Sequence, residues 1–130
     1  MNYTIIVHDP GHPGDASHTA LAFSRALLAQ GHAITRVFFY HEGVTNALAS
    51  RVPPQDEASL LEQWRQFGVD TGTELAICIA AALRRGVLNK EEAARYDKPA
   101  ATADDAFSIV GLGQLIDAIS ASDRTVTFTT

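Results

Sequence analysis

The sequence predicts a parallel-sheet α/β domain, on three observations. Short runs rich in β-branched and aromatic residues alternate with segments of helical periodicity along the whole chain. Glycine, proline and capping residues mark the junctions between them. The 130 residues, 46% hydrophobic and 19% charged, suit one globular domain that buries roughly two-thirds of its unfolded surface.

The elements follow in order. Tyr3 to Val7 is the first strand, ended by the turn-rich Asp9-Pro-Gly-His-Pro-Gly14. A helix runs from about Ser17 to Gln30: Ala20, Phe23 and Leu27 give the 3–4 spacing, Leu21 and Leu28 widen the apolar face, and Gly31 stops it. Ile34 to Tyr40 is the second strand, and His41 to Ser50 reads as a polar connection. Pro53, Pro54 and Asp56 announce a helix through Phe67, with Leu60, Trp64 and Phe67 as its core stripe and Gly68 after it. Leu75 to Cys78 is the third strand. Asn89 and Glu92 have capping-box spacing for a short helix to Tyr96. Phe107 to Val110, Leu112 to Ala121 and Thr125 to Phe128 complete the pattern as strand, helix and strand. Thr71 and Glu74 also have capping-box spacing, and Leu75 to Arg85 is rich in helix formers, so one continuous helix competes there. The α/β alternation favours strand then helix.

Composition narrows the partners. A net charge of −5, with no lysine/arginine cluster beyond two residues, argues against nucleic acid. The longest apolar run, Leu75 to Leu83, is about half a membrane span, and Met1 to His8 lacks the basic start of a signal peptide. With one cysteine and no targeting segment, a reducing cytoplasm is expected.

That one cysteine, Cys78, is the main candidate for chemistry. In a strand-then-helix reading its sulfur lies at the N-terminal end of a helix, where unpaired N–H groups favour a thiolate. The competing reading is packing, because free cysteine is among the most buried residue types. Sites in open α/β sheets gather beyond the carboxyl ends of the strands, which here carry His8-Asp9, Tyr40-His41-Glu42 and Cys78. A histidine there, His8 or His41, would make a cysteine hydrolase a third reading. His8, His12 and His18 with Asp9 and Asp15 match no standard zinc spacing, and no metal or cofactor is expected. Pro10 to Gly14 precedes a helix without a P-loop lysine, a weak signal for an anion. Arg84 and Arg85 suit a helix C-terminus, and Gly111-Leu-Gly113 suits a tight strand-to-helix turn.

Val37-Phe-Phe-Tyr-His-Glu-Gly-Val44, Cys78-Ile-Ala-Ala-Ala-Leu-Arg-Arg-Gly-Val87 and Gly111-Leu-Gly-Gln-Leu115 closely resemble the DsrE/TusD family of intracellular sulfur-relay proteins. Weaker similarity covers nearly the whole chain. The resemblance implies a three-layer α/β/α fold with a mainly parallel five-stranded sheet, and one DsrE-like domain over residues 1–130. It implies a sulfurtransferase in which Cys78 takes a persulfide sulfur from an upstream donor and passes it to a small TusE/DsrC-type acceptor. It further implies assembly with two related subunits into a heterohexamer, a dimer of heterotrimers, as TusBCD does in tRNA thiolation and DsrEFH in sulfur oxidation. The loop from Asp9 to Ser17 follows no pattern of that family. The alternative is a non-catalytic, partner-binding subunit with a buried cysteine.

Overall fold

The computed structural model describes residues 1–12 and 15–129. Five parallel strands form one sheet in the order β4-β3-β2-β1-β5, with β1 Asn2–Val7, β2 Ala33–Phe39, β3 Leu75–Cys78, β4 Phe107–Val110 and β5 Arg124–Phe128. The first four strands step outward in one direction. Right-handed crossovers therefore place their connecting helices on one face, and the return from β4 to β5 on the other. Side-chain contacts agree. On one face Tyr3 meets Phe23 of helix α1 (Ala16–Ala29), and Phe39 meets Trp64 of helix α2 (Leu60–Thr71). On the other, Arg36 donates to the Gln114 carbonyl of helix α5 (Leu112–Ser120), and Thr4 shares a hydrogen bond with Ser122 just beyond it. Three layers result, as expected.

The local chemistry explains the boundaries. α1 buries Ser17, Ala20, Leu21, Ser24 and Leu27, one stripe at helical spacing, and ends where Gly31 turns left-handed at φ +86°. β3 is buried along its whole length because it lies between β2 and β4, so it needs an apolar run and not an alternating one. This settles the competition at Leu75 in favour of strand then helix: α3 (Ile79–Arg84) begins only after Cys78. α4 (Lys90–Arg95) starts at Asn89, whose side chain accepts the Glu92 N–H at 2.9 Å. No helix among the described residues is long and apolar enough to cross a membrane.

Two sequence expectations need correction. α2 does not begin after Asp56 or stop at Phe67. It starts at Leu60, where Ser59 accepts the Glu62 N–H, and continues through Gly68 to Thr71. The stop is Gly72, whose left-handed φ of +71° lets its N–H close on the Gly68 carbonyl. The second correction concerns His41 to Ser50. Most of this connection is a 3₁₀ helix, His41–Ala47, with Gly43 to Ala47 buried. Its polar residues misled the periodicity argument because Thr45 and Asn46 spend their polar groups inside the protein.

Gly43 sets how closely that 3₁₀ helix seats against β1. A Cβ there would overlap the Val7 carbonyl oxygen and stand 2.8 Å from the carbonyl carbon. Both groups are backbone and cannot rotate away. Gly43→Ala is expected to destabilise the protein by about 3 kcal/mol or more, at the upper end of overpacking costs. Gly113, inside α5 with open space around it, gives the opposite sign: Gly113→Ala should stabilise by about 0.4–1 kcal/mol. Urea denaturation of the two variants checks both.

Candidate functional site at the carboxyl edge of the sheet

The strand register brings the candidate residues to one level. Val7 pairs with Phe39, Phe39 with Ile77, and Cys78 with Val110. His8, Tyr40, Cys78 and Val110 therefore lie side by side where the strands end. Side chains at one level of a parallel sheet share a face; here it is the face opposite α1 and α2, since Phe39 points toward Trp64. Adjacent strands are about 4.8 Å apart, which puts the Cys78 Cα one strand from Tyr40 and two strands from His8.

Cys78 closes β3 and is also the N-cap residue of α3, with extended dihedrals of φ −67° and ψ 123°. The expected position at a helix N-terminus is thus the observed one. The thiol is nonetheless only 1% exposed. β3 is held by ladders on both sides, and α3 packs against the 3₁₀ helix and β4. The free thiol at this strand end is closed off by its packing.

Next to it stands an aromatic cluster. The rings of Tyr40 and His41 stack at 4.1 Å with an interplanar angle of 5°. His8 meets His41 edge-on at 4.7 Å and Tyr40 at 6.0 Å. His41 sits at φ +50°, a left-handed conformation uncommon for a residue with a Cβ. Burial first, and then the charge of His41, holds the His8 imidazole below its ordinary value of 6.5. The fold thus favours the neutral ring.

The other candidates separate from this edge. His12 and His18 line a different cleft of about 320 Å³, together with Gly11, Arg51 and Glu57. Among the described residues no three histidine, cysteine, aspartate or glutamate side chains gather as a metal site. Pro13 and Gly14 of the proposed anion loop lie outside the described residues. The Gly11 and Ser17 N–H groups both turn inward onto Asp9 Oδ2, at 2.9 and 3.0 Å. Asp9, fully buried, thereby serves the start of α1 from within the protein, and among the described residues its Oδ1 has no partner. Gly111 is the N-cap of α5, a tight turn as read. The Leu60, Trp64 and Phe67 stripe is core.

Arg85 does what a helix-terminal arginine should, donating to the Ala81 carbonyl at 3.1 Å. It also pairs with Glu42 at 2.7 Å, across to the 3₁₀ helix. Sequence reasoning missed this second role. Both residues belong to blocks that carried the family resemblance, but nothing in their spacing joins positions so far apart.

The fold and this edge define a small, doubly wound α/β protein with a single thiol at the end of a central strand. The DsrE/DsrF-like family model matches residues 1–128, and the chain belongs to that family. A sulfurtransferase TusD homolog of Pseudomonas aeruginosa is 48% identical over 128 residues, covering 98% of this chain and 97% of the relative. Sulfurtransferase TusD of Serratia proteamaculans is 43% identical, with coverage of 98% and 99%. These relatives are transferases by name, as the sequence resemblance led us to expect. Among solved structures, the ychN protein from E. coli superposes with a TM-score of 0.76 at 18% identity, over 98% of this chain and 100% of that one. That likeness concerns the fold, and it agrees with the architecture expected from the sequence.

The histidine pair yields a test. A group whose folded pKa is depressed contributes stability that is present above its unfolded value and lost as pH falls through the folded value. His8 should therefore titrate by NMR below 6.5. His41→Asn, which tolerates the left-handed backbone, should move the His8 titration upward but leave the part due to burial. An unmoved His8 would show that the two rings do not interact as charges.

Proposed function

We propose that the chain is a sulfur-relay sulfurtransferase in which Cys78 carries the sulfur as a transient persulfide. The observation that carries this reading is the placement of the sole cysteine at a strand end and helix N-cap, in a chain whose full-length relatives are named sulfurtransferase TusD. The chemistry is balanced without a cofactor. The Cys78 thiolate attacks the outer sulfur of a donor persulfide, R–S–SH. The donor S–S bond breaks, its electron pair leaves on the donor sulfur, and Cys78–S–SH remains. An acceptor thiolate then attacks that outer sulfur and Cys78 departs as the thiolate. No second cysteine stands by to turn the persulfide into a disulfide. The donor and acceptor are proteins, the acceptor a small TusE/DsrC-type carrier, and the working assembly is a heteromeric complex with two related subunits.

One observation favours a second reading. At 1% exposure Cys78 has the burial of a packed core residue, as in a partner-binding subunit without chemistry of its own. Intact-mass spectra after incubation with a persulfide donor decide between the two, recorded with and without the partner subunits and beside a Cys78→Ser control. The relay reading expects a gain of one sulfur atom, reversed by reductant and absent from the control. A chain that takes no sulfur in the full complex, yet labels once unfolded, is a structural subunit.

A further inference from the structure

We propose that the cleft between the first turn of α1 and the chain leading into α2 binds a small organic carboxylate, whose charge Arg51 takes and whose apolar body rests on Pro53, Pro54 and Leu60. The site belongs to the α1 and α2 side of the sheet and does not depend on the relay reading.

The cleft holds about 320 Å³, at the small end of the range for ligand sites. Pro53, Pro54 and Leu60 belong to its apolar lining. Several of its polar groups are already spent. Asn46 donates to the carbonyls of Asp9 and Gly43, and the Ser59 hydroxyl accepts the Glu62 N–H at the start of α2. The Gly11 N–H is turned onto Asp9. The groups left for a ligand are the side chains of Arg51, Glu57, His12 and His18.

Arg51 decides the chemistry. Its two η nitrogens donate to the Pro10 carbonyl at 2.6 Å and to the Thr45 hydroxyl at 2.9 Å. Two neutral acceptors thus hold the guanidinium in place, with only two of its five N–H donors used and its charge unanswered. No carboxylate pairs with Arg51 among the described residues, whereas Arg36, Arg65 and Arg85 each have one. Titration follows the same division. The hydrogen bond to Asp104 holds Arg65 above the ordinary arginine value, while burial holds Arg51 below it, against the pull of the Asp9 charge. A partly desolvated cation without a counter-ion, on the wall of a cavity, favours an anion in that cavity.

The surroundings narrow the kind of anion. Glu57 lines the cleft, and Asp9 is buried behind it, bonded to the Gly11 N–H. Two carboxylates so near repel a dianion more than a monoanion, which sets a carboxylate above a phosphate. A planar carboxylate also matches the fork of a guanidinium. The proline and leucine lining rewards a hydrocarbon body.

Titration of the isotope-labelled chain with benzoate, followed by its amide shifts in NMR, tests this. Saturable shifts are expected at Gly11, Asn46, Arg51 and Leu60. Benzamide, of the same shape but uncharged, should bind about tenfold more weakly, and Arg51→Gln should weaken benzoate by about as much. Inorganic phosphate, a charge without an apolar body, should bind more weakly than benzoate. Glu57→Gln removes a repelling charge and should tighten benzoate by about twofold to fivefold. Equal affinities for benzoate and benzamide would overturn the proposal. So would phosphate binding as tightly as benzoate, or shifts that never saturate. If Arg51→Gln also lowers the urea midpoint, the Glu57→Gln result decides alone, and unchanged or weaker binding there sinks the proposal.

Discussion

The carboxyl edge of the sheet depends on one buried amide. Asn46 Nδ2 donates to the carbonyls of Asp9 and Gly43, and its Oδ1 accepts the Ser17 hydroxyl at 2.8 Å. The same hydroxyl oxygen accepts the Trp64 indole N–H at 3.1 Å. Four segments meet in this network: the end of β1, the start of α1, the 3₁₀ helix and the middle of α2. An apolar side chain of equal size would strand two carbonyls and a hydroxyl, at about 1–3 kcal/mol for each buried group left unpaired. Such a network restricts the geometry because it is satisfied in only one arrangement. With it in place Gly43 can press on Val7, and the 3₁₀ helix becomes the wall against which α3 and its cysteine are set.

The fold was legible because its information is local. β1, β2, β4 and β5 announce themselves by β-branched and aromatic residues, while β3, Leu-Ala-Ile-Cys, is legible only from the α/β alternation around it. At the two ends of α2 the local signals mislead. Gly68 looks like a helix stop, but its φ is ordinary, and the residue that turns left-handed is Gly72. Asp56 resembles a cap, while Ser59 is the one that bonds to the helix. The connection after β2 failed for another reason. Thr45 turns back to the Glu42 carbonyl, and nothing in the sequence tells that polar Asn46 is buried against Asp9 and Ser17.

The candidate site divides along the same line. Cys78 could be placed from the chain alone, since a strand end and a helix start are local events. Its burial could not, because β3 lies between β2 and β4 and meets the 3₁₀ helix, neighbours that only the strand order supplies. Nor could the Glu42–Arg85 pair, or the meeting of His8 with His41, both of which follow from strand order. A helix N-cap position and near-complete burial meet at one residue, and a reading of the cysteine has to account for both. On the proposed relay reading such burial protects the thiol between transfers, because exposed thiolates are open to oxidation and to stray disulfides.

The strand order also bears on how the chain reaches this state. β5 lies beside β1, with Tyr3 opposite Arg124 and Val7 opposite Phe128. That seam joins the first strand to the last, and the loop entropy of such distant pairing must be overcome before its contacts are made. During synthesis β1, carrying Ile5, Ile6 and Val7, therefore has one flank without a neighbour until β5 has been made. An uncovered, apolar strand edge is a template for pairing with other chains. The nascent protein is thus most vulnerable to aggregation while its sheet is nearly complete, and completion of β5 removes that exposure.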